Sequence, residues 1–449
     1  MHVLPQLRKL EDRYPNELAV VGVHSGKFHA ERMTANIRQA VMRLRVEHPV
    51  VNDRYFRIWR SFGVNAWPTL VLLDPNGRLV DSHPGEITFE SYEPLVRQIV
   101  ESFDAAQQLD RNPLPLRLES RLEPARHLSF PGKLLSVEPN RLFIADSAHH
   151  RIILAELSQD GQQARVEAIV GSGQPSLLDG PYQAAGFRYP QGMALDGDRL
   201  YVADTENHAI RAIDFLLREV RTVAGTGEQA RGISLGLIQP ARLSSPWDLS
   251  IKDGTMYIAM AGRHQLWSMD LAGGDLRPFA GSGAEELYDG PARQAALAQP
   301  TGIADGGDWL YFADSESSAV RRVQARPGGR VETVVGVGLF DFGDRDGVGD
   351  EARLQHAQGV TFHRDKAYVA DTYNNKIKLV DPGNRSALTL VGAEAAGYRD
   401  GEEAMFWEPG GVCALNGKLY VADTNNHVIR IVDPDNRRVS TLQLEGFPV

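Results

Sequence analysis

One fourteen-residue pattern recurs six times in this chain and limits what the chain can fold into. The last copy, YVADTNNHVIRIVD, begins at Tyr420. The motif aspartate, or the residue in its place, recurs at spacings of 58, 56, 54, 57 and 52 residues at Asp146, Asp204, Met260, Asp314, Asp371 and Asp423. Self-similarity at one period indicates a single supersecondary unit used six times.

Each repeat contains four segments with the character of short strands. In the second repeat they follow a Pro-x-Gly step at 190–192, an aromatic-led run at 201–204, an alternating run at 209–214 and a β-branched run at 220–225. Four short strands per repeat with glycine-rich turns are typical of β-propeller blades. The sequence therefore predicts an all-β, six-bladed propeller over residues 128–449.

The acidic charge of the chain lies in the repeats. Residues 1–112 hold 14 basic and 14 acidic residues, which leaves 34 basic against 44 acidic residues in the remainder. Duplex nucleic acid needs a basic footprint, so we do not expect it as a ligand. No stretch is long and apolar enough to span a membrane, and no signal peptide is visible, so we expect no membrane association and a cytoplasmic location.

The chain contains one cysteine, Cys413. It therefore forms no intrachain disulfide and no cysteine-rich metal site, which fits a reducing compartment. Cys413 takes a position that other repeats fill with Ala or Met, so we expect a small buried side chain.

The first 110 residues alternate helices and strands in the order α, β, α, β, α, β, β, α. The run includes a helix at 3–14, a buried strand at 18–23, a hairpin turning at Asp-Pro-Asn-Gly 74–77, and a last helix at 89–107. Trp67, Pro68 and Thr69 lead into the hairpin. This order resembles the thioredoxin fold, and the resemblance implies a cis peptide bond at Pro68 beside a redox site.

The resemblance also implies a missing feature. A Cys-x-x-Cys motif would end the central strand immediately before residue 1, so either the start codon lies at an internal Met or the gene has lost the strand and its thiols. Without a thiolate the domain, as given, performs no thiol–disulfide exchange. We expect a weakened domain over 1–110, followed by a Pro- and Arg-rich linker at 111–127.

The Ala-Asp-Thr-x-Asn-His pattern of the repeats resembles the NHL repeat and covers residues 128–442. Together with the thioredoxin-like segment, it resembles the NHL-repeat-containing protein 2 group. In that group a Cys-Cys-Ile-Asn-Cys motif directly precedes the residues that match 1–5 of this sequence.

The polar residues of the repeated motif have structural roles in this interpretation. The aspartate at the end of strand two accepts hydrogen bonds from the turn that follows it, and the Asn tolerates left-handed geometry. We expect such roles for Asp146, Asp204, Asp314, Asp371 and Asp423, and for His150, His208, His264 and His427.

Topology places the motif turns and the glycine-rich connectors between blades on one propeller face. Four connectors carry an Asp-Gly pair, at Asp179, Asp289, Asp346 and Asp400. Two interpretations remain open: the connectors form the binding face for a protein partner, or the Asp-Gly pairs only make tight turns.

Candidate chemistry is scarce in the propeller. The segments beside the central tunnel are small and apolar, and no three His or acidic residues occupy equivalent positions, so we expect no metal, cofactor or catalytic residue. The first hypothesis is an interaction or scaffold protein. The alternative is a thiol–disulfide oxidoreductase whose cysteines precede residue 1, and a third hypothesis, a propeller hydrolase, needs a bound metal.

The sequence also addresses ring closure. Residues 439–442 supply a fourth strand for blade six, so strand exchange between the first and last blades is not required, and the sequence leaves the mode of ring closure open. The linker at 114–118 is predicted to pack across that seam.

Overall fold

The computed structural model describes residues 3–112, 114, 116, 118, 126–230 and 242–447. The chain divides into two compact units, residues 1–125 and 126–449. The first is a thioredoxin-like α/β domain and the second a six-bladed β-propeller, as the sequence predicts.

Four helices and four strands form the first unit in the predicted order. They are α1 (Val3–Arg13), β1 (Gly22–His24), α2 (Thr34–Arg43), β2 (Val50–Asn52), α3 (Arg57–Ser61), β3 (Thr69–Leu73), β4 (Leu79–Pro84) and α4 (Phe89–Ala105). Leu10 of α1 packs with Tyr92 and Val96 of α4 in the core of this unit.

The strands of the first unit form two separate sheets. β1 pairs with β2 in parallel, and β3 pairs with β4 as an antiparallel hairpin. The strand predicted at 18–23 is short, because only residues 22–24 find a partner, and that partner is β2.

Each propeller blade is an antiparallel sheet of four consecutive strands. Blades one to three contain β5 (Leu134–Val137), β6 (Arg141–Asp146), β7 (Arg151–Leu157) and β8 (Gln163–Val170); then β10 (Pro190–Asp196), β11 (Arg199–Asp204), β12 (Ala209–Asp214) and β13 (Glu219–Gly225); then β14 (Pro246–Lys252), β15 (Thr255–Met260), β16 (Gln265–Asp270) and β17 (Leu276–Ala280). Blades four to six contain β19 (Pro300–Asp305), β20 (Trp309–Asp314), β21 (Ala319–Gln324) and β22 (Arg330–Val335); then β24 (Gly359–His363), β25 (Lys366–Asp371), β26 (Lys376–Asp381) and β27 (Ser386–Gly392); then β28 (Pro409–Leu415), β29 (Lys418–Asp423), β30 (Val428–Asp433) and β31 (Arg438–Thr441).

Short strands from three connectors extend the outer edges of blades two, four and five. They are β9 (Gly180–Pro181), β18 (Gly290–Pro291) and β23 (Gly347–Val348). Each pairs with the outermost strand of the blade that follows the connector. The connector therefore runs along the outer edge of that blade before it leads into the first strand of the blade.

The motif turn has the same geometry in all six blades. Strand two ends at the motif aspartate or Met260, one turn of 3-10 helix follows, and the next residue is left-handed. That residue has φ between 47° and 58° and is His150, His208, His264, Ser318, Asn375 or His427.

The ring closes through an added strand from the end of the chain, which settles a point that the sequence left open. β31 is the fourth strand of blade six, as predicted, but β32 (Gln443–Glu445) continues beyond it and pairs in parallel with β8 of blade one. The outer edge of β8 offers unpaired backbone groups, and β32 satisfies them. The predicted packing of 114–118 across the seam falls partly on residues outside those described.

Candidate functional site

The motif aspartates are buried and accept several hydrogen bonds. In blade two, Oδ1 of Asp204 accepts the backbone N–H of Arg188 at 2.7 Å, and Oδ2 accepts the amide of Asn207 at 2.7 Å. Asp146, Asp314, Asp371 and Asp423 accept equivalent backbone bonds. The backbone donor lies just before strand one of the same blade. The prediction that the backbone donor comes from the turn after the aspartate is therefore wrong.

A buried cation seven residues after the motif aspartate completes this site in four blades. Arg211 is fully buried, and its Nη1 donates to Asp204 at 2.9 Å. Arg321 and Arg430 make the same contact with Asp314 and Asp423, whereas the buried Lys378 pairs with Asp344 and Asp346 of its connector. Burial raises the pKa of Asp204 to about 6, although the charge of Arg211 opposes the shift.

The same cation reaches the Asp-Gly aspartate of the connector. Nη2 of Arg211 donates to Asp179 at 2.8 Å, and the Thr222 hydroxyl donates to the same carboxylate at 2.8 Å. Arg321 and Thr333 hold Asp289 in the same way, Lys378 and Thr389 hold Asp346, and Arg430 and Thr441 hold Asp400. These carboxylates fasten the connectors to the outer strands.

The Asp-Gly aspartate and the cation occur together: blades two, four, five and six have both, and blades one and three have neither. Blade three has Met260 for the motif aspartate and Trp267 for the cation, and its connector has no Asp-Gly pair. Blade one has Ile153 at the cation position, and its Asp146 instead accepts from His149 and Arg151. Comparing the repeats with one another would have revealed this coupling in the sequence.

The left-handed residue of the motif joins neighbouring blades. Nδ1 of His150 accepts the backbone N–H of Tyr189 at 3.0 Å, and Nδ1 of His208 accepts that of Ser245 at 3.0 Å. Within the described residues, five junctions carry this bond, the others being Ser318 with His356, Asn375 with Glu408, and His427 with Phe130. Nδ1 is therefore the acceptor and Nε2 carries the proton in these histidines.

A hydroxyl forms a second bond across the same junctions. Thr205 donates to the carbonyl of Pro246 at 2.7 Å, and Thr424 closes the ring by donating to Pro131 at 2.8 Å. Blade three has Ala261 at this position and lacks the hydroxyl.

The surface around Pro68 gathers aromatic side chains. The Trp67–Pro68 peptide bond is cis, and Thr69 begins β3. Trp67 is half exposed, and its Nε1 donates to the carbonyl of Ser25 at 2.7 Å. Its ring centroid lies 4.6 Å from that of Trp59. The Ser25 hydroxyl donates to Asp53, whose carboxylate also accepts the N–H of Trp59 at the start of α3.

The propeller axis holds a charged pair that the sequence interpretation missed. Lys133 and Asp248 are both buried, with Nζ 3.5 Å from Oδ2. They occupy the third position of the Pro-x-Gly step, which is Gly in the other four blades. Lys133 and Asp248 are visible in the sequence as the two exceptions to Gly at this position, and this difference is the signal that would have identified the pair.

In the part of the chain that the structure describes, no three His, Cys, Asp or Glu side chains cluster so as to hold a metal ion. Over the same residues, no helix has both the length and the apolar character needed to cross a membrane.

Known proteins share both units of this chain. Residues 1–79 match the Thioredoxin-like family, and residues 187–213 and 406–432 match the NHL repeat family. Protein SUPPRESSOR OF QUENCHING 1, chloroplastic, from Arabidopsis thaliana is 41% identical over 99% of this chain. NHL repeat-containing protein 2 is 40% identical over 100% of this chain in Bos taurus and 39% identical over 99% in Homo sapiens.

The relatives are longer than this chain. The chain spans 44% of the plant protein and 66% of the bovine and human proteins. Its similarity to them nevertheless runs through the thioredoxin-like unit and all six blades. The chain belongs to the NHL repeat-containing protein 2 family, with a thioredoxin-like domain followed by a six-bladed NHL propeller.

Proposed function

We propose that this protein is an interaction or scaffold protein whose propeller binds a protein partner through its connectors. The supporting observation is that large apolar side chains stand exposed beside the fastened Asp-Gly turns. Leu178 is 53% exposed and Tyr288 is 60% exposed, each next to a carboxylate bound by a buried arginine. Tyr398, two residues before Asp400, is 56% exposed.

The fastened connectors favour binding over a purely structural turn. A loop that is already ordered loses little entropy when a partner binds. Exposed aromatic and aliphatic residues on such a frame are typical of protein interfaces. The Asp-Gly aspartates therefore support the surface, and their neighbours make the contacts.

A pair of variants tests this surface. The Leu178→Ser, Tyr288→Ser variant removes two exposed side chains from the connectors. The matched control, Leu216→Ser, Leu217→Ser, removes two residues that are 76% and 58% exposed in the turn between β12 and β13 and are not part of a connector. Quantitative affinity purification after crosslinking should recover a partner with the native protein and the control, and at least tenfold less with the connector variant. Equal recovery by all three proteins would contradict the proposal.

A thiol–disulfide oxidoreductase is the second candidate. The match of residues 1–79 to the Thioredoxin-like family favours it. The reaction needs thiols that this sequence does not supply, because its one cysteine, Cys413, is buried in the propeller. In-frame translation of the DNA before Met1 tests this candidate: a stop codon with no Cys-x-x-Cys in between would end it.

We also propose a cytoplasmic location, because a chain with one cysteine and no intrachain disulfide fits a reducing compartment. The plant relative carries "chloroplastic" in its name. Fractionation of cells that produce the tagged protein decides the compartment.

A further inference from the structure

A cavity of about 330 Å³ lies along the propeller axis. Strand one of every blade contributes to its lining, which includes Met193, Ile303, Val360, Phe362 and Cys413. From Lys133 to Val137 it follows strand one for about 13 Å, at roughly 3.3 Å per residue. Its volume is at the lower end of the range for small-molecule sites, which is about 300–1,000 Å³.

Lys133 and Asp248 form one end of the cavity. Nζ of Lys133 donates to the carbonyl of Gln358 at 2.5 Å, so side chains and backbone of blades one, three and five meet near the axis. The four glycines at the equivalent position allow this approach: a Cβ on Gly192 would lie 2.1 Å from Oδ1 of Asp248. The charged pair therefore closes the axis at this level.

The closed end offers a hydrogen-bond donor. The Lys133 ammonium has three hydrogens, and among the described residues it has two acceptors, Gln358 and Asp248. The Asp248 carboxylate already accepts the backbone N–H groups of Leu249 and Ile303. A ligand group that enters here thus meets the third N–H of Lys133 in a chamber lined mostly by apolar residues, together with Ser250, Thr361 and Asp305.

We propose that the axial cavity binds a small, uncharged, amphipathic molecule. A carbonyl or amide oxygen of the ligand accepts the third hydrogen of Lys133, and an apolar chain lies along Met193, Val360 and Phe362. A carboxylate does not fit, because it would bury a second negative charge beside Asp248 and leave the site with an uncompensated charge.

The single cysteine of the chain reports on occupancy. Cys413 lines the cavity, so a bound molecule shields it from a small alkylating reagent. The rate of alkylation by iodoacetamide is measured by mass spectrometry on the whole chain, with hexanamide, hexanoate or hexylammonium as the probe. Hexanamide should slow the reaction at least tenfold and saturably, and the two charged probes should not.

Several outcomes overturn the proposal. They are no slowing by hexanamide, or equal slowing by hexanoate. Burial raises the pKa of the Cys413 thiol to about 12, so the alkylation is run at alkaline pH, and if the thiol still does not react, calorimetric titration with the same three probes decides. The Lys133→Met, Asp248→Asn variant removes the ammonium without leaving an unpaired charge and should lose the protection by hexanamide. Ala304→Leu, which fills the lining, should lose it too, and if either variant fails to fold, the three probes on the native protein still decide.

Discussion

Nδ1 of His427 in the last blade accepts the backbone N–H of Phe130 in the first blade at 3.2 Å. The imidazole ring also packs edge-on against the Phe130 ring, with centroids 4.3 Å apart. The junction that closes the ring is thus built like the junctions between consecutive blades, where His150 and His208 make the same bond.

Two substitutions of His427 should separate its role as a hydrogen-bond acceptor from its role as a titrating group. His427→Ala removes the acceptor from a buried N–H and should lower the free energy of unfolding by about 1–3 kcal/mol. His427→Asn should retain most of the stability, because Asn375 makes the same bond in blade five at 3.0 Å. Urea unfolding of the three proteins at pH 7.5 measures both effects, and equal losses for Ala and Asn would contradict the assigned role.

The same histidine should make the propeller sensitive to acid. Burial, with smaller effects of the Arg126 and His149 charges, lowers the pKa of His427 to about 3. Between about pH 6.5 and 3 the unfolded chain binds the proton and the folded chain does not, so this stabilisation is complete above pH 6.5 and is lost as the pH falls. The native protein should lose about 1.4 kcal/mol per pH unit relative to His427→Asn in this window.

The comparison of the native protein with His427→Asn cancels an opposing effect of two buried carboxyl groups. Burial raises the pKa of Asp371 to about 7 and that of Asp423 to about 6, so these carboxyls stabilise the fold as the pH falls. Both proteins contain them, and only the difference between the two unfolding curves reports on His427. Parallel pH profiles would show that the histidine does not titrate as proposed.

Removal of the buried cation Arg321 should reduce the stability of the propeller more than its replacement by another cation. Arg321→Met leaves Asp314 buried without its charge partner and should destabilise the propeller by about 3–5 kcal/mol. Arg321→Lys should cost less, because Lys378 holds the equivalent position in blade five. Thermal unfolding compares the two, and a Met variant as stable as the Lys variant would show that the charge is unimportant there.

The shared strand at the ring seam should stabilise the propeller. Gln443→Pro removes the backbone N–H of β32 that donates to the carbonyl of Gln162 at 3.1 Å and should lower the melting temperature, whereas Gln443→Ala keeps that bond and should lower it less. Differential scanning calorimetry measures both variants. If they melt together, the side chain of Gln443 matters and the parallel pairing with β8 does not.

The first unit should exchange its amide hydrogens faster than the propeller. Its strands form two separate two-stranded sheets, so β1 and β3 each have one edge without a strand partner among the described residues. Two-stranded sheets are marginally stable alone. Hydrogen exchange measured by mass spectrometry should show weaker protection over residues 1–110 than over the blades, and equal protection would refute this prediction.

The repeat spacing was enough to predict the propeller, since each strand lies next to its sequence neighbour. Contacts between blades were harder to predict. His150 and Tyr189 are 39 residues apart, and His427 and Phe130 are 297 apart, so no local pattern pairs them. The partners of Asp204 were missed for the same reason, because Arg188 lies 16 residues before it and the Asp179 connector earlier still. β32 was missed because three residues carry too little pattern to identify a strand.

The seam has a consequence for how the blades can be ordered. The ring of Phe447 stacks on that of His127 with centroids 4.6 Å apart, so residues close to the two ends of the propeller are neighbours. A short peptide can therefore bridge them, and the covalent chain can be opened instead at a turn between two strands of another blade. A circular permutant of this kind should fold to the same ring, because the joints between blades do not depend on which blade is translated first.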